Sequence, residues 1–234
     1  MEKNNSKICA VIAGGEQDTL AGIDAADFIV AADKGYFYAR ESGVTPDLIV
    51  GDFDSYCGDL PEGDEMLDCD SLPKILNHLD HKKKEKDVQI LRLPKVKDDS
   101  DLLATLRQCL AFGYRDFRIY CALGGRLDRL LANLQACSYV AMQDANIKII
   151  GKDEKITFLH NTSQIFPQQS GYSLSVLALS EIADGVSIKN AVYELENAIL
   201  KNTFPIGLSN EWKNGSDVEI SVKHGVIAVI TSRL

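Results

Sequence analysis

The 234-residue sequence lacks the excess of positive charge that binding to nucleic acid or to an anionic membrane requires. It contains 25 Lys and Arg residues against 34 Asp and Glu residues, which gives a formal net charge of −9 at pH 7. Because an acidic chain gains nothing from bulk attraction to a polyanion, we expect no nucleic-acid partner and no membrane partner. The charge does not exclude a polyphosphate ligand that arrives together with divalent cations.

The sequence also lacks several features of secreted and membrane proteins. None of its six cysteines forms a Cys-x-x-Cys pair, which favours buried thiols in a reducing compartment. The first residues, MEKNNSK, contain no apolar signal region, and no apolar run approaches the ~20 residues that span a bilayer. We therefore expect a cytoplasmic protein.

Short apolar runs alternate with helical patterns over residues 1–150. The runs are rich in Val, Ile and Leu without strict alternation, which is typical of strands in a sheet covered on both faces. They span residues 7–15, 28–33, 48–55, 88–94, 117–125 and 147–151. Strand–helix alternation of this kind predicts an α/β domain with a mostly parallel sheet flanked by helices.

Two helices are predicted between these strands. Over residues 101–112, leucines share one face, Ser100 is placed to cap the first turn and Gly113 to end the helix. A second helix over residues 126–143 has an apolar face that we expect to be buried. That face consists of Leu127, Leu130, Leu131, Leu134 and Ala141.

The pattern changes after residue 150, where strand-like segments follow one another without a helical period. Residues 218–222 alternate strictly between apolar and polar side chains. The run Lys223-His224-Gly225 between two such segments predicts a hairpin turn. We therefore expect an α/β domain over residues 1–150 and an antiparallel, β-sandwich-like domain over residues 151–234.

Glycines and carboxylates follow the predicted strands of the first domain. In open parallel sheets, ligands bind beyond the carboxyl ends of the strands. The strands here are followed by Gly14-Gly15, by Asp33, by Asp52 and Asp54, by Asp98 to Asp101, and by Gly124-Gly125-Arg126.

Asp52 and Asp54 are two residues apart, so on extended backbone both carboxylates point to the same side. Such a pair favours a hard divalent cation, and Mg²⁺ binds carboxylate oxygens while sharing its ligand shell with substrate phosphates. The alternative is a polar loop in which aspartates form turns and cap helices.

Asp101 falls in the first turn of its predicted helix, where the helix dipole stabilises the carboxylate anion. This placement suits a metal ligand but makes a weak general base, so a basic role would rest on position. Gly124-Gly125-Arg126 opens the next helix, where glycines let the backbone approach a phosphate that Arg126 can bind through two hydrogen bonds. A tight turn explains the two glycines equally well.

Together these motifs resemble the thiamine pyrophosphokinase family, over nearly the whole chain. The matching segments are Ala32-Asp33-Lys34-Gly35, then PDLIVGDFDS over residues 46–55, then Ser100-Asp101, then Gly124-Gly125-Arg126-Leu127-Asp128, with Asn133 one helical step further on. Two positions depart from the family pattern. Lys34 stands where the family often has Gly, and Arg129 where it often has His, and both add positive charge near the expected phosphates.

The resemblance implies transfer of the pyrophosphoryl group of ATP to the hydroxyl of thiamine, giving thiamine diphosphate and AMP. It implies Mg²⁺ bound by Asp52, Asp54 and Asp101, and catalytic roles for Asp101, Asp54 and Arg126. The implied nucleotide-binding residues are Gly14, Asp33, Lys34, Gly35, Gly124, Gly125, Arg126, Asp128 and Asn133.

The resemblance also implies that the β domain binds thiamine and forms a homodimer. Tyr193 would stack on a thiamine ring, and Ser209 and Asn210 would hydrogen-bond the pyrimidine. Alternatively, Tyr193 packs between the sheets and Ser209-Asn210 forms a turn. We expect Trp212 in the core or at the rim of the site.

Two other functions compete with this interpretation. A metal-dependent nucleotide phosphatase would use the same Asp-x-Asp pair, but a phosphoaspartyl hydrolase needs its nucleophile after the first strand, where this chain has Gly14-Gly15. A non-catalytic module that binds thiamine diphosphate or a nucleotide would bind its ligand without turnover.

Overall fold

The computed structural model describes residues 7–51, 66–67, 88–92 and 99–234. Contacts divide the chain into two compact units, Met1–Ala136 and Cys137–Leu234. The expected domain limits of 1–150 and 151–234 stay a prediction. Among the described residues, no helix is both long enough and apolar enough to cross a membrane.

The first unit is built on a parallel sheet. Its strands are β1 (Ile8–Ile12), β2 (Phe28–Ala32), β3 (Leu48–Gly51), β4 (Met66–Leu67), β5 (Gln89–Arg92) and β6 (Asp116–Tyr120). They lie in the order β6-β1-β2-β3-β5-β4, and every pairing between them is parallel. The central strands are buried almost from end to end, which confirms the predicted mostly parallel sheet.

Three α-helices occur in the described chain: α1 (Gly35–Glu41), α2 (Asp101–Ala111) and α3 (Leu127–Ala141), with a 3₁₀ turn at Ile23–Ala25. The sequence predicted α2 in detail. The Ser100 hydroxyl accepts a hydrogen bond from the Leu103 amide at 3.2 Å, and Gly113 follows the helix with a φ of 87°. Both predicted helix ends are therefore confirmed.

The predicted buried face of α3 is wrong in its first two turns. Leu127 is 69% exposed and Leu131 is 52% exposed, whereas Ala136, Cys137 and Val140 are buried. Helical periodicity places these leucines on one face but does not show how much of that face is covered. Leu130 and Leu134 of the predicted face are half-buried and Ala141 is buried, so the prediction fails at Leu127 and Leu131.

The described cysteines are buried free thiols, as predicted. Cys9, Cys109, Cys121 and Cys137 form no disulfide and are almost fully buried. Burial raises the pKa of the Cys137 thiol well above its ordinary value, so this thiol stays protonated and unreactive. The remaining two cysteines of the sequence, Cys57 and Cys69, lie outside the described residues.

The second unit consists of antiparallel strands in two layers. The strands are β7 (Asn146–Ile150), β8 (Glu154–His160), β9 (Ser163–Phe166), β10 (Tyr172–Ala178), β11 (Ile182–Lys189), β12 (Leu195–Lys201), β13 (Val218–Ser221) and β14 (Val226–Arg233). One layer has the order β10-β14-β8-β7 and the other β12-β11-β13-β9. Leu174, Val176 and Val229 of the first layer share one core with Val186 and Ile220 of the second. This arrangement confirms the predicted antiparallel sandwich.

The predicted hairpin at residues 223–225 is wrong. Strand β13 pairs with β11 and β9, whereas β14 pairs with β8 and β10, so the turn carries the chain from one layer to the other. Alternation within residues 218–222 is confirmed, because Val218, Ile220 and Val222 are buried. Alternation shows which side of a strand is buried but not which strand lies beside it.

Replacing the capping residue tests the contact that starts α2. Ser100→Ala should lower the free energy of unfolding by about 1 kcal/mol, because the Leu103 amide loses its acceptor. Urea denaturation measures the change. As a control, Ser138→Ala removes a hydroxyl inside α3 and should change the free energy by less than about 0.5 kcal/mol. Equal losses in both variants would contradict a capping role for Ser100.

Candidate functional site

A cleft of about 300 Å³ opens in the first unit beyond the carboxyl ends of β1 and β2. Gly14 and Gly15 border it after β1, and Asp33 borders it after β2. The start of α2 and the first half of α3 form its other sides. These helices, with the two residues before α2, contribute Asp99, Ser100, Asp101, Leu102, Arg129, Ala132 and Asn133. The cleft is thus at the sheet edge where the sequence predicted a site.

The segment Gly14-Gly15 is held tightly against the chain that follows β6. The Gly15 amide donates to the Cys121 carbonyl at 2.9 Å, and a Cβ at Gly15 would lie only 2.5 Å from the same oxygen. On the opposite side, the buried Tyr38 hydroxyl donates to the Gly15 carbonyl at 2.7 Å. The backbone at this edge of the cleft is therefore fixed, and only glycine fits at position 15.

Asp33 is the turn residue between β2 and α1. Its φ is 48°, its amide donates to the Val50 carbonyl at 2.7 Å, and its carbonyl accepts from the Tyr36 amide at 3.2 Å. Asp33 is only 7% exposed. An aspartate tolerates this left-handed backbone better than most residues do, and Asp33 borders the cleft.

Lys34 and Gly35 complete the same turn, but neither is among the residues that border the cleft. The Lys34 ammonium lies 5.1 Å from the centre of the Tyr38 ring. At Gly35, an added Cβ would overlap the Ile12 carbonyl oxygen. Gly35 therefore lets the first turn of α1 pack directly on the end of β1, a structural requirement that accounts for this glycine without a ligand.

Asp99, Ser100 and Asp101 bring two carboxylates to the cleft at the start of α2. The Asp99 carboxylate forms an ion pair with Arg107 at 2.6 Å. Asp101 is the first residue of α2, and its carbonyl accepts a hydrogen bond from the Thr105 hydroxyl at 2.7 Å. Asp101 therefore lies in the first turn of α2, where the sequence predicted it.

The predicted phosphate-binding turn lies outside the set of residues that border the cleft. Gly124 and Gly125 have φ values of 73° and 72°, and a Cβ at Gly124 would overlap the Glu16 carboxylate. The exposed Arg126 guanidinium binds Asp128 through two hydrogen bonds, of 2.6 and 3.1 Å. These hydrogen bonds hold the pKa of the Asp128 carboxyl below its ordinary value.

Asn133 does border the cleft, and its side chain is oriented by a backbone contact. Its amide nitrogen donates to the Ala122 carbonyl at 2.9 Å. Of the implied nucleotide-binding residues, the cleft therefore brings together Gly14, Asp33 and Asn133, and it adds Asp101 from the implied metal set.

The predicted metal ligands Asp52 and Asp54 lie outside the described residues. Among the residues that the structure describes, no three His, Cys, Asp or Glu side chains are grouped so that they could hold a metal ion. Asp101 is the described member of the predicted set. The three-carboxylate site therefore stays a prediction.

The implied thiamine-binding residues lie together in the second unit. Tyr193 is exposed, and Asn210 is buried and hydrogen-bonded to the Tyr193 backbone. Ser209 is exposed with a φ of 54°, and its amide donates to the Ser175 hydroxyl at 3.0 Å. Trp212 is buried and donates to the Phe166 carbonyl at 3.1 Å, which confirms its expected place in the core.

The structure adds residues that the sequence did not assign to the site. Gly15 stands next to an assigned glycine, and the Gly-Gly pair was the signal for it. In the sequence Arg129 differs from the family pattern, and in the structure it borders the cleft and brings a cation to its carboxylates. Tyr38 carried no signal in the sequence, because its hydrogen bond to Gly15 exists only after α1 has packed.

Family models match most of the chain. The model described as thiamin pyrophosphokinase, catalytic domain, matches residues 21–150, and the model described as thiamin pyrophosphokinase, vitamin B1 binding domain, matches residues 162–227. A search of curated proteins finds no match.

Solved structures share the fold along the whole chain. Thiamine pyrophosphokinase from Bacillus subtilis is 21% identical with a TM-score of 0.75, covering 97% of this chain and 100% of its own. A thiamin pyrophosphokinase family protein from Enterococcus faecalis is 24% identical with a TM-score of 0.73, covering 98% and 100%. Thiamin pyrophosphokinase from Candida albicans is 14% identical with a TM-score of 0.69, covering 97% and 89%. At these identities the likeness shows the fold.

The glycine at position 35 offers a test of the packing that shapes the cleft. Gly35→Ala should destabilise the protein by about 1–3 kcal/mol, because its Cβ has no space beside the Ile12 carbonyl. Thermal and urea denaturation measure the loss. Gly14→Ala is the matched control, since its Cβ would come no closer than 3.4 Å to any neighbour, the nearest being the Lys34 side chain. A Gly35→Ala variant as stable as Gly14→Ala would contradict the close contact between α1 and β1.

Proposed function

The chain belongs to the thiamin pyrophosphokinase family, and from this premise we propose how its residues carry out the reaction. The protein transfers the pyrophosphoryl group of ATP to the hydroxyl of thiamine, giving thiamine diphosphate and AMP. The hydroxyl oxygen bonds to the β-phosphorus and loses its proton. The bond from the β-phosphorus to the oxygen that bridges to the α-phosphorus breaks, and AMP keeps that oxygen.

We propose that ATP binds in the cleft of the first unit. The supporting observation is that separate sequence motifs, one containing Asp33 and one containing Asp101, meet there beside Gly14 and Asn133. The glycine backbone leaves room for a phosphate to approach closely, and Arg129 supplies positive charge. Asp33 can accept hydrogen bonds from nucleotide hydroxyl or amino groups.

We propose that the implied nucleotide-binding residues that do not border the cleft contact the nucleotide at the rim of this site. Lys34 and Gly35 belong to the turn that carries Asp33, and Gly124 and Gly125 belong to the turn before α3. Arg126 already binds the Asp128 carboxylate in two-point geometry, the same geometry that it would use for phosphate. Binding of the nucleotide would then exchange one anionic partner of Arg126 for another.

We propose that the reaction depends on Mg²⁺. Asp101 borders the cleft, and carboxylate oxygen is the donor type that Mg²⁺ prefers. Asp52 and Asp54 would complete the set of protein ligands. When bound, the cation would neutralise negative charge on the phosphates.

We propose that Asp101 also receives the proton of the thiamine hydroxyl. Its contribution would come from position, because Asp101 is the first residue of α2 and borders the cleft. Pyrophosphoryl transfer needs in-line placement and charge neutralisation more than a strong base. Arg126 would neutralise phosphate charge directly, and Asp54 would do so only by holding Mg²⁺.

We propose that the second unit binds thiamine, which the match of residues 162–227 to the model described as a vitamin B1 binding domain supports. We propose that Tyr193 stacks on a cationic ring of thiamine and that Ser209 hydrogen-bonds the pyrimidine.

We also propose a homodimer, because Phe204, Ile206 and Leu208 are large apolar side chains exposed close together in the sequence. The buried, unpaired thiols suit a reducing, cytoplasmic compartment.

Product analysis tests the reaction directly. Incubation with ATP, Mg²⁺ and thiamine should give AMP and thiamine diphosphate in equal amounts, because one diphosphate group moves intact. Separation of the nucleotides by ion-exchange chromatography measures this outcome. ADP in place of AMP, or phosphate release that does not need thiamine, would contradict the proposal, and replacing Mg²⁺ with EDTA should stop the reaction.

The carboxylates can be tested individually. Asp101→Asn and Asp54→Asn should each lower turnover by at least about tenfold. Each substitution removes a carboxylate that would hold Mg²⁺ beside the phosphates, and Asp101→Asn also removes the proposed proton acceptor. Asp144→Asn makes the same chemical change at an exposed position of the second unit and should leave turnover unchanged. Circular dichroism checks that each variant folds. Near-normal turnover in both test variants would remove the proposed carboxylate site.

A further inference from the structure

Tyr193 combines an exposed ring with a firmly bound backbone. It is 70% exposed, yet its amide donates to the Asn210 side-chain oxygen at 3.0 Å. Its carbonyl accepts from the Asn210 side-chain nitrogen at 2.7 Å. An exposed residue in a loop is usually free to move, but both backbone polar groups of Tyr193 are bound by one side chain.

Asn210 is itself fixed to the sandwich core. It is only 5% exposed, and it exchanges two backbone hydrogen bonds of 2.8 Å with Leu174, a fully buried residue of β10. Its side-chain oxygen accepts a second hydrogen bond, from the Glu211 amide at 2.9 Å. The backbone partners determine which way the Asn210 amide is turned. The Tyr193 and Glu211 amides donate to its oxygen, and the Tyr193 carbonyl accepts from its nitrogen.

These contacts use most of the hydrogen-bonding capacity of the Asn210 side chain. An asparagine amide has one oxygen with two lone pairs and one nitrogen with two hydrogens. Both lone pairs and one of the hydrogens are occupied by the backbone of this chain. Little remains for recognition of a pyrimidine, whereas the exposed Ser209 hydroxyl beside it is accessible.

The rest of the loop is bound to the same segment. The Val192 amide donates to the Glu211 carbonyl at 2.9 Å, and Ala191 forms a β-bridge with the buried Trp212. Lys213 binds the Glu194 carboxylate at 2.7 Å and holds the pKa of that carboxyl below its ordinary value. Residues 191–194 are therefore a bound platform from which the Tyr193 ring projects.

We propose that Asn210 is a positioning residue, which holds the Tyr193 ring in place for a thiamine ring to stack on and does not bind thiamine through its own amide. This proposal rests on the proposed function of Tyr193. A fixed ring binds a cationic aromatic ligand without first losing conformational freedom, so the Asn210 clamp contributes to affinity for thiamine. The role is specific to asparagine, because the Tyr193 carbonyl needs a donor and the two amides need an acceptor.

A double-mutant cycle on thiamine binding tests the proposal. Tyr193→Ala should raise the KM for thiamine by roughly three- to thirtyfold, the range of a lost cation–π contact. Asn210→Asp should also raise it, because a carboxylate then faces the Tyr193 carbonyl. In the Tyr193→Ala background, Asn210→Asp should have no further effect on the KM for thiamine. The KM for ATP should stay unchanged in all variants, and Asn146→Asp at the exposed start of β7 is the matched control.

The outcomes separate the possible roles of Asn210. Equal effects of Asn210→Asp in both backgrounds would show that it acts on thiamine without Tyr193 and would overturn the proposal. An unchanged KM in Tyr193→Ala would overturn it as well, because the ring would then not be the contact. If the wild-type protein formed no AMP, the proposed function itself would have failed. The affinity of the same variants for thiamine would then be measured by calorimetry in place of the KM.

A measurement on the wild-type chain covers the case in which Asn210→Asp does not fold. Amide hydrogen exchange should show the Tyr193 amide protected to the same degree as the neighbouring Val192 amide, despite the exposure of its side chain. Rapid exchange at Tyr193 would show that the Asn210 contact is not maintained in solution, which would overturn the proposal.

Discussion

The candidate site depends on the burial of the parallel strands along their whole length. Strands β1, β2 and β3 have almost no exposed position, so polar side chains can occur only after the last residue of a strand. Parallel strands end at the same edge, which brings the polar turns after them together. Asp33 and Gly14 reach one cleft for this reason, although they are far apart in the sequence.

The fold could be predicted from the sequence wherever the signal is local. The apolar runs of the parallel strands and the Ser100 cap of α2 are local patterns, and both are confirmed. The prediction for α3 failed because helical periodicity places Leu127 and Leu131 on one face but does not show where the neighbouring structure stops. The hairpin after β13 failed for a related reason, since the pairing of strands across two layers is decided by the packing of the whole unit.

The site could be predicted in part, and the difference again follows from how local each contact is. A motif shows that Gly35 and Asn210 matter, but their contacts are with Ile12 and Tyr193, which only the folded chain brings near. Gly35 provides space for a helix and Asn210 holds a loop. In both cases a residue in a ligand-binding motif has a structural task that its chemistry alone does not reveal.

The central claim is that the cleft beyond β1 and β2 is the nucleotide site, and ligand-dependent hydrogen exchange tests it most directly. An ATP analogue with a non-cleavable link between its α- and β-phosphates, added with Mg²⁺, should slow amide exchange in the three segments 13–15, 33–35 and 99–102. Exchange in β11 and β13 of the second unit should not change. Protection confined to the second unit, with unchanged exchange in all three segments, would contradict the account.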